Sequence, residues 1–205
     1  ELSAKIVETV QPDLVDINFG CPVKKVVSKG AGAGVLKDID LMVRLTAAVI
    51  KSTNLPVTVK TRLGWDDESI NIDEVAERLQ DIGVQALTVR ARTRAQMYKG
   101  HSDWTHIERI HNNPRIKIPI FGNGDIDSAV KAKEYKERFG LDGMMIGRAA
   151  IGYPWIFREI KHFVQTGEKL APPTIEERID ACKRHLDFSV QWKGEKITSI
   201  QKEIR

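Results

Sequence analysis

The sequence predicts an α/β chain. Short apolar runs recur about 30 residues apart, and each leads into an amphipathic segment of helical period, the rhythm of repeated βα units and a parallel sheet. About five such units fit into the 205 residues, whereas a complete eight-fold barrel needs about 250. The chain therefore reads as the last five βα units of a (β/α)8 TIM barrel, followed by the start of an α-helical domain. A self-contained open sheet of the doubly wound type is the alternative.

In order, Leu14 to Phe19 is the first strand and Asp40 to Lys51 a helix with Leu41, Leu45, Ala48 and Val49 on one face. Val57 to Thr61 is a strand after Pro56, and Asp73 to Ile82 a helix closed by Gly83. Ala86 to Val89 is the next strand. Asp103 to Ile110 is a short helix presenting Trp104, Ile107 and Ile110. Ile118 to Phe121 is a strand, Ser128 to Phe139 a helix, Gly143 to Ile146 a strand, and Pro154 sits in the first turn of a further helix. The strands read as near-continuous apolar runs, which predicts a sheet buried on both faces. Gly167, Pro172 and Pro173 mark a break, and Thr174 with Glu177 forms a capping-box pattern ahead of Ile175, Ile179, Cys182 and Leu186. The expected domains are residues 1–168, a partial barrel, and 169–205, the start of a helical domain. The chain begins on Glu1 inside an expected helix and stops at Arg205 without a helix-ending signal, so a portion of a longer protein is expected.

Hydrophobic residues make up 41% and charged residues 29%, as in globular proteins, and no apolar run approaches the roughly 20 residues of a membrane span. A net charge of +4 permits an anionic partner without requiring one. Two distant cysteines, Cys21 and Cys182, make neither a disulfide framework nor a metal spacing, and the five histidines show no metal spacing either. A reducing cytoplasm is the expected setting.

Active residues of βα barrels lie where strands end. Here those places are Asp16 to Pro22, Lys60 to Arg62, Arg90 to Arg94, Gly122 to Asp125, and Gly147 with Arg148. Glycine turns after two consecutive late strands, with Arg148 beside the second, are a phosphate-binding pattern or plain turns. Cys21 is either a small buried hydrophobe or, as a thiol protonated at neutral pH, a general acid. Cys182, on an apolar helix stripe, reads as core. Lys60 is a solvated cap or a charge held against a cofactor, and Asn18 reads a planar ring or satisfies its own loop. Gly30, Gly32 and Gly34 read as a flexible loop beside the thiol. Lys24, Lys25 and Lys29, with Arg90, Arg92, Arg94 and Lys99, form either a basic rim for a polyanion or ordinary solvated loops.

The run Asp16-Ile17-Asn18-Phe19-Gly20-Cys21-Pro22-Val23-Lys24-Lys25, continuing to Gly34, resembles the signature of the FMN-dependent tRNA-dihydrouridine synthases, bacterial type. Val59 to Trp65, Arg92 to Gln96, Asn123 to Ile126 and Ile146 to Ala149 match in order and span nearly the whole chain. The resemblance implies an FMN-binding barrel followed by a helical tRNA-binding domain. It implies an oxidoreductase that reduces the C5–C6 bond of uridines in tRNA, with NADPH as electron donor. It makes Cys21 the proton donor and places Lys60, Asn123, Gly124, Asp125, Gly147 and Arg148 at FMN. It brings Asn18 close to flavin and base. From the basic rim, Arg92 and Arg94 are the expected substrate contacts. The chain departs from the pattern at Arg90-Ala91, where the family usually has His-Gly with the histidine near the flavin: either Arg90 takes that role or flavin binding is altered. The family's early strands lie outside this sequence. Two other readings stay open: an FMN barrel acting on a free pyrimidine such as dihydroorotate, and a non-catalytic RNA-binding protein on the same fold.

Overall fold

The structure, a computed structural model, describes residues 2–194. Helix α1 (Leu2–Glu8) precedes strand β1 (Val15–Asn18), and a short helix α2 (Lys24–Val27) and a turn of 3-10 helix (Gly32–Lys37) follow. Next come α3 (Ile39–Ile50), β2 (Val57–Arg62), α4 (Ile72–Asp81), β3 (Ala86–Arg90), α5 (Thr105–His111) and β4 (Ile120–Asn123). The chain continues through α6 (Ala129–Phe139), β5 (Gly143–Met145), α7 (Ile156–Thr166) and α8 (Ile175–Lys193). All five strands pair in parallel, in chain order. The expected α/β class with a parallel sheet is what forms, with element ends moved by one or two residues. Pro154 precedes its helix rather than opening it, because Trp155 is the N-cap and Ile156 the first helical residue.

Two compact units divide the chain. One runs to Ile126 and resumes at Glu134–Ile146; the other holds Asp127–Lys133 and the residues from Gly147 onward. In the first unit the sheet faces differ in chemistry. The register Val15↔Val57, Val59↔Leu87 and Leu87↔Ile120 gathers apolar side chains on one face, since alternate residues of a strand share a side. Val57, Val59, Leu87, Val89 and Ile120 are all at most 2% exposed, as are Ile72, Val75 and Leu79 of α4 and Ile107 and Ile110 of α5. The apolar stripe of α4 at i, i+3 and i+7 is what an amphipathic helix requires. The other face carries Asp16 and Asn18, Thr58, Lys60 and Arg62, Thr88 and Arg90, and Asn123 in register. The expectation of a sheet buried on both faces from near-continuous apolar runs is met on the first face alone. The second face is mostly polar, with Phe121 beside Thr88, and runs from exposed at Asp16 and Asn18 to buried at Arg62 and Asn123.

A second correction concerns α3. Its buried stripe runs through Met42 and Thr46, whose hydroxyl donates to the Met42 carbonyl at 2.8 Å, while Leu45 is left exposed. The face is rotated by one residue from the one read off the leucines. Trp104, by contrast, is buried as expected with Ile107 and Ile110. Its ring lies so close to β4 that a Cβ at Gly122 would stand 2.0 Å from it, so glycine is required there for packing.

In the second unit Thr174 caps α8: its hydroxyl accepts from the Glu177 N–H at 3.2 Å, and the Glu177 carboxylate accepts from the Thr174 N–H at 2.8 Å. The expected capping box is present. Cys182 is not core, however. It is exposed and lines an open apolar groove on α8 with Ile175, Ile179 and Leu186. Helical spacing gave the stripe correctly but carried no information on what covers it.

Candidate active site

The chemistry-bearing residues of the first unit gather at the carboxyl ends of β1 to β4. After Asn18 the strand ladder ends with Phe19 N–H donating to the Lys60 carbonyl at 2.8 Å. The Asn18 side-chain oxygen then accepts from the Gly20 N–H at 2.9 Å, closing a local turn ahead of Cys21. A Cβ at Gly20 would lie 3.6 Å from the Lys60 Nζ, so a small backbone patch and an ammonium adjoin directly. Cys21 follows as a half-buried free thiol. Its carbonyl accepts from the Ala33 N–H at 2.9 Å, and a Cβ at Gly32 would approach that carbonyl to 2.8 Å. Gly32 also has φ 54°, a conformation that favours glycine. The glycines expected to make a flexible loop instead allow residues 30–34 to close tightly on the thiol segment.

Lys60 is half-buried, and burial, then the charges of Arg90 and Arg62, push its ammonium down to about 8 against the partial support of Asp16. Arg62 is 2% exposed. Burial first, and Arg90 next, push its guanidinium down to about 10, still charged at neutral pH. Arg90 is half-buried beside it in register, with its guanidinium 5.1 Å from the Tyr98 ring centre. On this face the register places one carboxylate, Asp16, which accepts from the Thr58 hydroxyl at 2.7 Å. Three cations and one carboxylate leave the face electropositive, and a low-dielectric setting strengthens its pull on an anion.

Arg92 has a different environment. It is 2% exposed and pairs with both oxygens of Asp125, at 2.9 and 2.7 Å. Its remaining contacts go to Ser102 Oγ and to the Lys99 and Gly100 carbonyls, so all five N–H donors are engaged. Burial would raise the Asp125 carboxyl, but hydrogen bonds from Arg92 and Ser102 hold it well below the usual carboxylate range. The structure therefore places Arg92 and Asp125 as a buried brace rather than as groups open to a ligand. Asn123 is also buried, with its amide donating to the Met145 carbonyl at 2.7 Å. Gly124, at φ 146°, packs against Ser102, and its carbonyl accepts from the Trp104 indole at 3.2 Å.

Arg94 stacks on Trp65, with its guanidinium 4.5 Å from the ring centre, and the Lys37 ammonium lies 3.8 Å from the same ring. Lys24, Lys25 and Lys29 are exposed. In the second unit, Gly147 opens the 3-10 turn Arg148–Ala150; both residues are exposed, and nothing lies within 4 Å of a Cβ placed at Gly147. Sequence reasoning had not singled out Arg62, Ser102 or the Trp65 platform. Arg62 could have been found, because it stands two residues past Lys60 on one strand and so shares its face. Among the described residues no group of His, Cys, Asp and Glu is arranged to hold a metal, and no helix is long and apolar enough to cross a membrane.

The chain is similar to known proteins of one family. The chain is 44% identical over 184 residues to tRNA-dihydrouridine synthase B of Pseudomonas aeruginosa, covering 90% of this chain and 55% of that one. It is 41% identical over 199 residues to tRNA-dihydrouridine synthase B of Proteus vulgaris, covering 95% and 61%. The chain thus spans between about half and three fifths of the length of these curated relatives. In fold it is similar to a solved structure of a proposed phosphonomutase from Burkholderia cenocepacia J2315, with a TM-score of 0.54 at 16% identity over 73% of this chain and 68% of that one. A family model described as dihydrouridine synthase (Dus) matches residues 2–203, and the chain belongs to that family.

Proposed function

We propose that the full-length protein reduces the C5–C6 bond of uridines in tRNA, as an FMN- and NADPH-dependent oxidoreductase working in the cytoplasm. The βα units here are read as the last five of its barrel, and the residues from 169 onward as the start of a helical tRNA-binding domain. The observation that carries this reading is the half-buried Cys21 thiol at the rim of a sheet face bearing Lys60, Arg62 and Arg90 against one carboxylate. An anionic, planar group suits that face. The cations offset its charge, and Gly20 beside the Lys60 ammonium lets it approach the backbone.

FMN, when bound, would be held against the face of Lys60, Arg62 and Arg90 and would supply the hydride chemistry needed at C6 of the uracil, with NADPH as the source of the electrons. Cys21 gives the thiol proton to C5, so the double bond is saturated by one hydride and one proton, and the resulting thiolate takes a proton back from water. Lys60 holds positive charge against the anionic side of the site. The Asn18 amide nitrogen meets a ring carbonyl. Arg94, held on Trp65, is assigned to tRNA phosphate, and Arg92 supports the loop that presents it. Backbone at Gly124 and Asp125, with Asn123 shaping the turn, is assigned to the phosphate end of FMN. The glycine turn at Gly147 and Arg148, in the second unit, is read on its own as a phosphate-binding turn. A base must leave its stack to react, which costs a few kcal/mol and is least in a loop.

The test is purification of the full-length protein, its flavin absorbance, and NADPH-dependent formation of dihydrouridine in an unmodified tRNA transcript. A yellow protein that forms the product supports the reading. A colourless protein without product favours a non-catalytic RNA binder, and turnover of a free pyrimidine without tRNA favours a small-molecule oxidoreductase.

A further inference from the structure

The segment that carries Cys21 leaves the sheet after Phe19, so strand pairing no longer fixes it. Two bonds hold the peptide groups on either side of the Cys21 Cα. The Cys21 carbonyl accepts from Ala33 N–H, and the Gly20 carbonyl, whose peptide group contains the Cys21 nitrogen, accepts from Arg62 Nε at 2.7 Å. The same guanidinium donates through Nη1 to the Thr93 carbonyl at 3.0 Å and the Met97 carbonyl at 3.2 Å. Met97 adopts φ 51°, a left-handed conformation that a non-glycine residue takes only when its surroundings impose it. Among the described residues Arg62 has no carboxylate partner, although it is almost completely buried. A buried cation bonded only to loop carbonyls is an expensive way to stabilise a fold, but it is a rigid planar fork suited to fixing several loops at once.

We propose that Arg62 is a positioning residue for the reaction. It sets the direction of the Cys21 thiol and ties it to the 93–97 loop, which carries Arg94. The inference rests on the reading of Cys21 as the acid, and a double-mutant cycle separates the two. In the flavin-loaded full-length protein, single-turnover dihydrouridine formation is measured for Arg62→Lys, Cys21→Ala and the double variant. Lysine keeps the charge but cannot span the three carbonyls. We expect a loss of at least tenfold for Arg62→Lys, and a double variant within threefold of Cys21→Ala, because groups that act as one unit are not additive. A double variant slower than Cys21→Ala by the whole Arg62→Lys factor overturns the proposal. Cys21→Ala at the parent rate overturns the acid reading instead.

Two further readouts do not depend on turnover. Iodoacetamide labelling read by mass spectrometry has an internal reference in the exposed Cys182. The Cys21 rate should change at least threefold in Arg62→Lys while the Cys182 rate holds, and an unmoved Cys21 rate counts against the proposal. Should the variant fail to fold, hydrogen exchange of the arginine Nε–H groups in the unmutated protein decides. Arg62 should exchange at least a hundredfold more slowly than the exposed Arg115, and equal rates overturn the strut.

Discussion

Two arginines of the first unit are equally buried, at 2% exposure, yet their surroundings are opposite. Arg92 meets the Asp125 carboxylate with a two-pronged pair and has every donor engaged. Among the described residues Arg62 meets only carbonyl oxygens; it shares one face of β2 with Lys60 and stands opposite Arg90 of β3. The first arrangement neutralises its charge and fixes a loop. The second leaves positive charge on the polar face of the sheet, where an anion would complete it. The contrast separates what holds this end of the molecule together from what prepares it to bind.

The largest expected effect is on the neutralised pair. Arg92→Met leaves the Asp125 carboxylate without its partner and should cost about 3 kcal/mol of stability in the full-length protein, read by chemical denaturation. A cost under about 1 kcal/mol would mean the pair is not the brace described. The pair also sets an acid limit. Asp125 titrates below its unfolded value of 3.8, so its contribution is complete above about pH 4 and is lost as pH falls toward the lower folded value. Asp125→Asn should flatten the stability profile in that acid range.

Arg62→Met should cost less, about 1 kcal/mol, because removing a buried unpaired charge offsets part of the lost hydrogen bonding. A cost equal to that of Arg92→Met would erase the distinction drawn here. Lys60 gives a smaller, pH-dependent effect. Its folded value of about 8 lies below the ordinary 10.5, so stability of the ligand-free protein should rise between those pH values. Anion binding runs the other way, since it needs the ammonium. FMN affinity should fall as pH rises through about 8, and Lys60→Met should remove that step. The smallest expected change is in salt dependence. Arg94→Gln should reduce the slope of log affinity for tRNA against log salt by about 1, and an unchanged slope would move Arg94 out of the phosphate contacts.

Much of this was legible in the sequence, for identifiable reasons. Apolar runs and turn residues mark all five strands because a sheet covered by helices needs hydrocarbon on that side, and the Thr174 cap is a local pattern that needs no tertiary context. Asn18, Cys21 and Lys60 stood out as polar groups at strand ends. The Arg92–Asp125 pair did not, because its partners are 33 residues apart and meet only when β3 and β4 are in register. Both had been expected to face ligands, yet they face each other. Cys182 was misread because periodicity identifies a stripe without saying whether anything covers it. The glycines near Cys21 were read as freedom, whereas at Gly32 the missing Cβ permits close contact with the thiol segment.

The central claim is that the half-buried thiol at the end of β1 delivers a proton at the edge of a cationic, flavin-holding face. It is tested most directly by the rate of dihydrouridine formation in Cys21→Ala full-length protein whose flavin content matches the parent. The account predicts a loss of about 10²- to 10⁴-fold, the usual worth of a general acid. A rate within twofold of the parent would contradict it.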